Sequence, residues 1–146
     1  MRVRELLQSK RGRIFTGSPA MPIRRAMALM VENRISCLPV LDENDCLMGI
    51  ISDKDIFRAV YERTLGFESL TVGNLMTTGL IVGCESDEVS YIAGVMTNNR
   101  IRHVPIVDGN RLIGLLSVGD IVKTQMTNYE VENRYLWQYI NGSYPG

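Results

Sequence analysis

Serine and aspartate recur at one fixed spacing in this chain, each time behind a glycine and two apolar residues: GIISDKD over 49–55 and GLLSVGD over 114–120. A serine that follows a strand and precedes a carboxylate by three positions marks a helix start. Its hydroxyl accepts from a backbone N–H one turn in, and the carboxylate answers the serine's own N–H, together contributing about 0.5–2 kcal/mol. The lone pairs left on a carboxylate so placed suit two adjacent hydroxyl donors, the geometry of a ribose diol. A glycine three places upstream marks a point where a ligand or a neighbouring strand comes close to the backbone. Capping and ligand contact by Ser52 and Asp55, and by Ser117 and Asp120, are both open readings of the same string.

Other reactive residues are sparse. His103 is the sole histidine, so one chain cannot form a two-histidine metal site. Cys37, Cys46 and Cys84 are odd in number and lack C-x-x-C spacing, which argues for reduced thiols rather than a disulfide framework or a zinc site. No nucleophile elbow or pair of catalytic carboxylates stands out, and the chain is read as a non-enzyme. Thiol sensing at Cys37 or Cys84 is the remaining reactive possibility, through a nearby cation that lowers the thiol pKa. Sixteen basic and sixteen acidic residues among 146 leave no net charge, so nothing favours nucleic acid or an anionic membrane as partner. No window approaches the ~18–20 apolar residues of a membrane span, and MRVRELLQSKRGR lacks a signal-like apolar run; the expected location is the cytoplasm.

The elements that must position the two Ser/Asp strings are themselves repeated. A shift of 66 places lays NRISCLPVLD (33–42) on NRIRHVPIVD (99–108), and one residue fewer in the next turn lays CLMGIISDKDI on RLIGLLSVGDI. Each copy reads as a short strand (RIFT, 13–16; LIV, 80–82), an amphipathic helix, a hairpin and a second helix beginning at Ser52 or Ser117. The first helix buries Ile23, Ala26, Met27, Met30 and Val31 in one copy and Val89, Ile92, Ala93 and Met96 in the other. VRELL near the N-terminus and VGNLM after the first copy read as matching lead-ins. The fold class is α+β: two β-α-β-β-α repeats, at 1–66 and 67–124, packed about a pseudo-two-fold axis over a shared core, with a helical extension over 125–146.

The doubled unit, carrying NRI-x-x-h-P-h-h-D (h, apolar) and G-h-h-S-x-x-D in each copy, resembles a tandem pair of cystathionine-β-synthase (CBS) domains over residues 3 to about 124. That resemblance implies a non-catalytic module needing no cofactor. It binds an adenosine-containing regulatory ligand (AMP, ADP or ATP, with NAD or S-adenosylmethionine as further members) in two clefts between the copies. By the resemblance one cleft uses Ser117 and Asp120 with Thr16, Ser36, Cys37 and Pro39, and the other uses Ser52 and Asp55 with Val82, Cys84, Arg102, His103 and Pro105. Family members use a threonine near the start of each copy; Thr16 matches and Val82 does not, and Cys84 stands where the first copy has Ser18. Arg102 and His103 offer donors suited to phosphate where the first copy has Ser36 and Cys37, so tighter phosphate binding is expected beside Asp55.

The last helix is expected to run on through IVKTQMTNYEVENRYLWQYI, with Val122, Met126, Tyr129, Leu136 and Ile140 on one stripe. Such a stripe needs a partner surface, and the resemblance points to a homodimer. With no output domain in view, signalling would pass to a separate effector protein. The competing reading is a ligand-independent scaffold or dimerisation protein whose Ser/Asp strings only cap helices.

Overall fold

Apolar residues at helical spacing place Ile23, Ala26 and Met30 on one buried face of α2 (Ile23–Asn33), and Val89, Ile92 and Met96 do the same for α5 (Val89–Asn99). The computed structural model describes residues 1–10, 12–63 and 65–126. In chain order the remaining elements are α1 (Val3–Ser9), β1 (Cys37–Leu41), β2 (Leu47–Ser52), α3 (Asp53–Glu62), α4 (Val72–Leu75), β3 (His103–Asp108), β4 (Arg111–Ser117) and α6 (Val118–Met126), with a 3-10 turn at Phe67–Ser69. The tail stripe at Tyr129, Leu136 and Ile140 lies outside the described residues.

Both α2 and α5 stop in the same way. Asn33 and Asn99 donate their side-chain amides to the carbonyls of Leu29 and Val95, both at 2.9 Å. Arg34 and Arg100 then take the left-handed conformation, at φ 55° and 54°, and Ile35 and Ile101 close the turn onto Met30 and Met96. The repeated Asn-Arg-Ile is thus a helix stop in which arginine holds a place that glycine usually takes.

Each hairpin is an antiparallel pair, β1 with β2 and β3 with β4, with Cys37 opposite Ser52 and His103 opposite Ser117. The expected leading strands at 13–16 and 80–82 do not form. Each shrinks to one parallel bridge, Gly17 to Val40 and Gly83 to Ile106, leaving two sheets of two strands. Proline is the reason. Gly17 donates to the Pro39 carbonyl and accepts from Leu41, both at 2.9 Å, and Gly83 does the same with Pro105 and Val107. The next rung of either ladder would need an N–H from Pro39 or Pro105, which proline lacks.

Burial divides into two clusters rather than the single shared core that the repeat suggests. One holds Ile23, Ala26, Met30, Leu38, Val40, Ile51, Ile56 and Val72; the other holds Val3, Leu6, Val89, Ile92, Met96, Val104, Ile106, Leu116 and Ile121. Val3 and Leu6 of α1 therefore pack in the second half, while Val72 of α4 packs in the first. Backbone bonds fasten this exchange: Val3 N–H donates to Asp87 and Val89 N–H to Met1, matched by Val72 to Met21 and Ile23 to Leu70, all at 2.8–3.0 Å. Val31, expected on the buried face, is 78% exposed, because one residue on from buried Met30 it is turned about 100° round α2, off the face set by Ile23, Ala26 and Met30.

Candidate functional site

Both Ser/Asp strings form helix caps. The Asp55 carboxylate accepts from the Ser52 N–H at 2.9 Å and from the Ser52 hydroxyl at 3.1 Å, while the Asp55 N–H donates to the Ser52 hydroxyl at 3.3 Å. In the other copy the Ser117 N–H donates to Asp120 at 2.8 Å, and the Asp120 N–H donates to the Ser117 hydroxyl at 3.1 Å. The upstream glycines answer to packing. A Cβ on Gly49 would lie 2.7 Å from the Thr77 carbonyl oxygen, and one on Gly114 would lie 2.6 Å from a Leu7 methyl. The neighbour that approaches is the lead-in of the opposite half, since Leu7 in VRELLQSK matches Met76 in VGNLMTTG.

Two cavities flank these caps. The larger, about 730 Å³, takes Lys10, Arg13, Ile14 and Phe15 from the segment after α1, Arg34, Ser36 and Cys37 from the end of α2 and the start of β1, and His103 and Ser117 from the second half. The smaller, about 280 Å³, takes Ser52 and Asp55 from the first half with Thr77, Ile81, Arg100, Arg102, His103 and Pro105 from beyond it. Cys37 and His103, the matched first residues of β1 and β3, line both cavities and so form the wall between them.

Of the candidates for the first cleft, Ser36, Cys37 and Ser117 meet at one cavity. Asp120 stands behind Lys10, whose ammonium donates to it at 2.8 Å and to the Leu115 carbonyl at 2.6 Å. Thr16 is half-buried and Pro39 fully buried in β1; neither lines that cavity. For the second cleft Ser52, Asp55, Arg102, His103 and Pro105 come together. Val82 and Cys84 are exposed outside it, the Cys84 N–H donating to Asp87 at 2.9 Å. Arg102 reaches across to the Asp53 carboxylate at 2.9 Å, and Asp55 accepts from the Thr77 hydroxyl at 3.2 Å.

Electrostatics follow burial. Burial works to raise the Asp120 carboxyl, but the bonds from the Lys10 ammonium and the Ser117 N–H outweigh it and hold it below the ordinary carboxylate range. Burial also lowers the His103 imidazole, and the Arg102 and Lys10 charges lower it further, so it is neutral at pH 7. The thiol-sensor reading of Cys37 does not survive. Burial, and after it the Asp53 charge, pushes its thiol up to about 12, the reverse of the activation a reactive cysteine needs.

Lys10, Thr77, Arg34, Arg100 and Asp53 were not singled out from the sequence. Laying VRELLQSK on VGNLMTTG would have shown Lys10 opposite Gly79, and so an unmatched charge near one cleft alone.

A CBS domain model matches the chain twice, over residues 3–62 and 72–126, and the chain belongs to the CBS-domain family. Among its relatives, the CBS domain-containing protein YhcV of Bacillus subtilis is 32% identical over 79% of this chain and 81% of its own length. The mitochondrial CBSX3 of Arabidopsis thaliana is likewise 32% identical, over 82% of this chain, and the match spans 60% of CBSX3. Among solved structures, the CBS-domain protein ATU1752 of Agrobacterium tumefaciens has a TM-score of 0.79 at 27% identity, covering 85% of this chain and 92% of that one. CBSX2, solved in complex with AMP, has a TM-score of 0.76 at 27% identity and covers 88% and 98%. The CBS pair of MJ0100, solved with 5′-methylthioadenosine and S-adenosyl-L-methionine, has a TM-score of 0.76 at 26% identity, with the same coverage. Among the described residues no helix is long and apolar enough to cross a membrane.

Proposed function

We propose that this chain is a non-catalytic regulatory module that binds adenosine-containing ligands in its two clefts and passes the ligand state to a separate partner protein. The observation that carries the reading is the doubled carboxylate. Asp55 and Asp120 are each fixed at a helix start beside a cavity, and each keeps lone pairs beyond those its cap uses, as a vicinal diol requires. Similar folds solved with AMP and with S-adenosyl-L-methionine support the ligand class. Ser117 and Asp120 with Ser36 and Cys37 would serve one ligand; Ser52 and Asp55 with Arg102, His103 and Pro105 would serve the other. Thr16, Pro39, Val82 and Cys84 would act on a ligand only after local movement.

The module would act as a homodimer. Phe57, Val60 and Tyr61 on α3 and Val122 on α6 are exposed apolar residues that a second copy would cover. A ligand that binds only the folded state raises the melting temperature with the logarithm of its concentration. Thermal denaturation with AMP, ATP, 5′-methylthioadenosine and S-adenosyl-L-methionine should show such a rise for at least one of them, reduced in Asp55→Ala and abolished in Asp55→Ala/Asp120→Ala. A melting temperature indifferent to all four ligands would leave the scaffold reading, in which the strings only cap helices.

A further inference from the structure

The two clefts differ in what they present to an incoming ligand. The second exposes the Asp55 carboxylate itself, with the neutral Thr77 hydroxyl as its added partner; Lys54, Arg100 and Arg102 also line it, but none of them bonds Asp55, and Arg102 is paired with Asp53. The first presents Lys10, Arg13 and Arg34, no carboxylate lines it among the described residues, and the Lys10 ammonium sits on Asp120. The place that matches Lys10 in the second cleft is Gly79, which has no side chain.

A neutral diol that engages both Asp120 oxygens must replace, at Oδ2, a charge-assisted bond roughly twice as strong as a neutral one, and would leave the ammonium with only the Leu115 carbonyl in a cavity that two further cations line. A ligand that brings its own negative charge has no such penalty. Its phosphates take up the displaced ammonium, and Arg13 and Arg34 stand on the same wall to share them. The larger cavity, within the ~300–1,000 Å³ range of small-molecule sites, has room for a chain of phosphates; the smaller falls just under that range.

We propose that Lys10 makes the first cleft selective for nucleotides carrying two or more phosphates: the ammonium guards Asp120 against neutral nucleosides and moves onto the phosphate chain when a nucleotide binds. In the second cleft Gly79 replaces Lys10 and no cation sits on Asp55, so neutral nucleosides are not held off there. The inference rests on the adenosine-ligand reading above and reverses the order of phosphate preference that Arg102 and His103 suggested from sequence.

Calorimetric titration of the full chain with adenosine, AMP and ATP tests it, in an Asp55→Ala background that leaves the first cleft to report. With Lys10 present, ATP should bind about 100-fold more tightly than adenosine. In Lys10→Met, adenosine should tighten and ATP weaken, each by about tenfold, and Lys10→Arg should restore the original order. An ATP-to-adenosine ratio in Lys10→Met that stays within about twofold of its value with Lys10 present overturns the inference while the adenosine-ligand reading stands. Absence of binding by all three ligands to the chain with both aspartates intact overturns both. If Asp55→Ala fails to fold, Asp55→Asn keeps the cap oxygen and serves in its place.

Discussion

In one half of the molecule an aspartate at a helix start is held by a lysine from 110 residues away; in the other, its counterpart is held by a threonine hydroxyl. Much beneath that difference matches: the backbone capping bonds, the proline-cut leading strands, the left-handed arginine stops and the exchanged lead-in helices. Similar scaffolding has therefore been kept while the residues that face the cavities have diverged. Packing constrains the frame on both sides at once, because each lead-in completes the other half's core, and only the cavity-facing positions are free to vary.

The glycines of the repeated string break this comparison most strongly. At Gly49 an added methyl meets the Thr77 carbonyl, backbone tied to Ile50 by two hydrogen bonds, at 2.8 and 3.0 Å. At Gly114 it meets the end of the Leu7 side chain, which can rotate away. Gly49→Ala should therefore lose about 3 kcal/mol of stability and Gly114→Ala about 1 kcal/mol, read as a shift in the urea midpoint at constant slope. Equal losses would mean that the lead-ins do not press on the two hairpins as differently as this contact pattern requires.

A smaller effect separates the two aspartates. The Lys10 ammonium is one-third exposed, so its pair with Asp120 contributes only ~1 kcal/mol. Because the folded state holds Asp120 below its ordinary value, that stability is present above about pH 4 and is lost as the pH falls through the depressed folded value. Lys10→Met should unfold more readily than the native chain at pH 7, and the two acid-titration curves should converge at the bottom of the carboxylate range.

Arginine at the helix stops offers a test of opposite sign. A non-glycine residue in the left-handed region costs about 1–2 kcal/mol, and glycine gives back about 0.4–1 kcal/mol of that through the greater freedom of the unfolded chain. Arg34→Gly and Arg100→Gly should each stabilise the fold by roughly 0.5 kcal/mol in chemical denaturation. Both arginines line clefts, so stability has been given up at two equivalent places for a side chain that faces a cavity.

Much of this was legible from residue order, for identifiable physical reasons. Helical spacing marked Ile23, Ala26 and Met30, turn residues marked both hairpins, and Ser52 and Ser117 marked the caps, because each is a short-range preference. The leading strands were misread because RIFT and LIV carry good strand residues, while the missing N–H that stops the ladder belongs to Pro39 and Pro105 some 24 positions away. Lys10 stayed hidden for a similar reason: its partner is set by the crossing of α1 into the opposite half, a tertiary fact with no local signature.

The finest probe of the comparison is the wall between the clefts. His103 is the chain's one histidine, so its ring protons can be followed without ambiguity, and it lines both cavities. Burial lowers its pKa first; Arg102 and Lys10 lower it further, while Asp120 and Asp53 pull the other way. The unfolded chain therefore takes up the proton first, and stability should fall as pH drops below about 6.5 through the lower folded value. Lys10→Met removes one of the two cations and should move the NMR titration of His103 upward, toward its ordinary value. Asp53→Asn removes an anion that favours the charged ring and should move it downward. On the proposed function, a phosphate seated in either cleft would place negative charge near the same imidazole, and nucleotide binding should raise this pKa where adenosine does not.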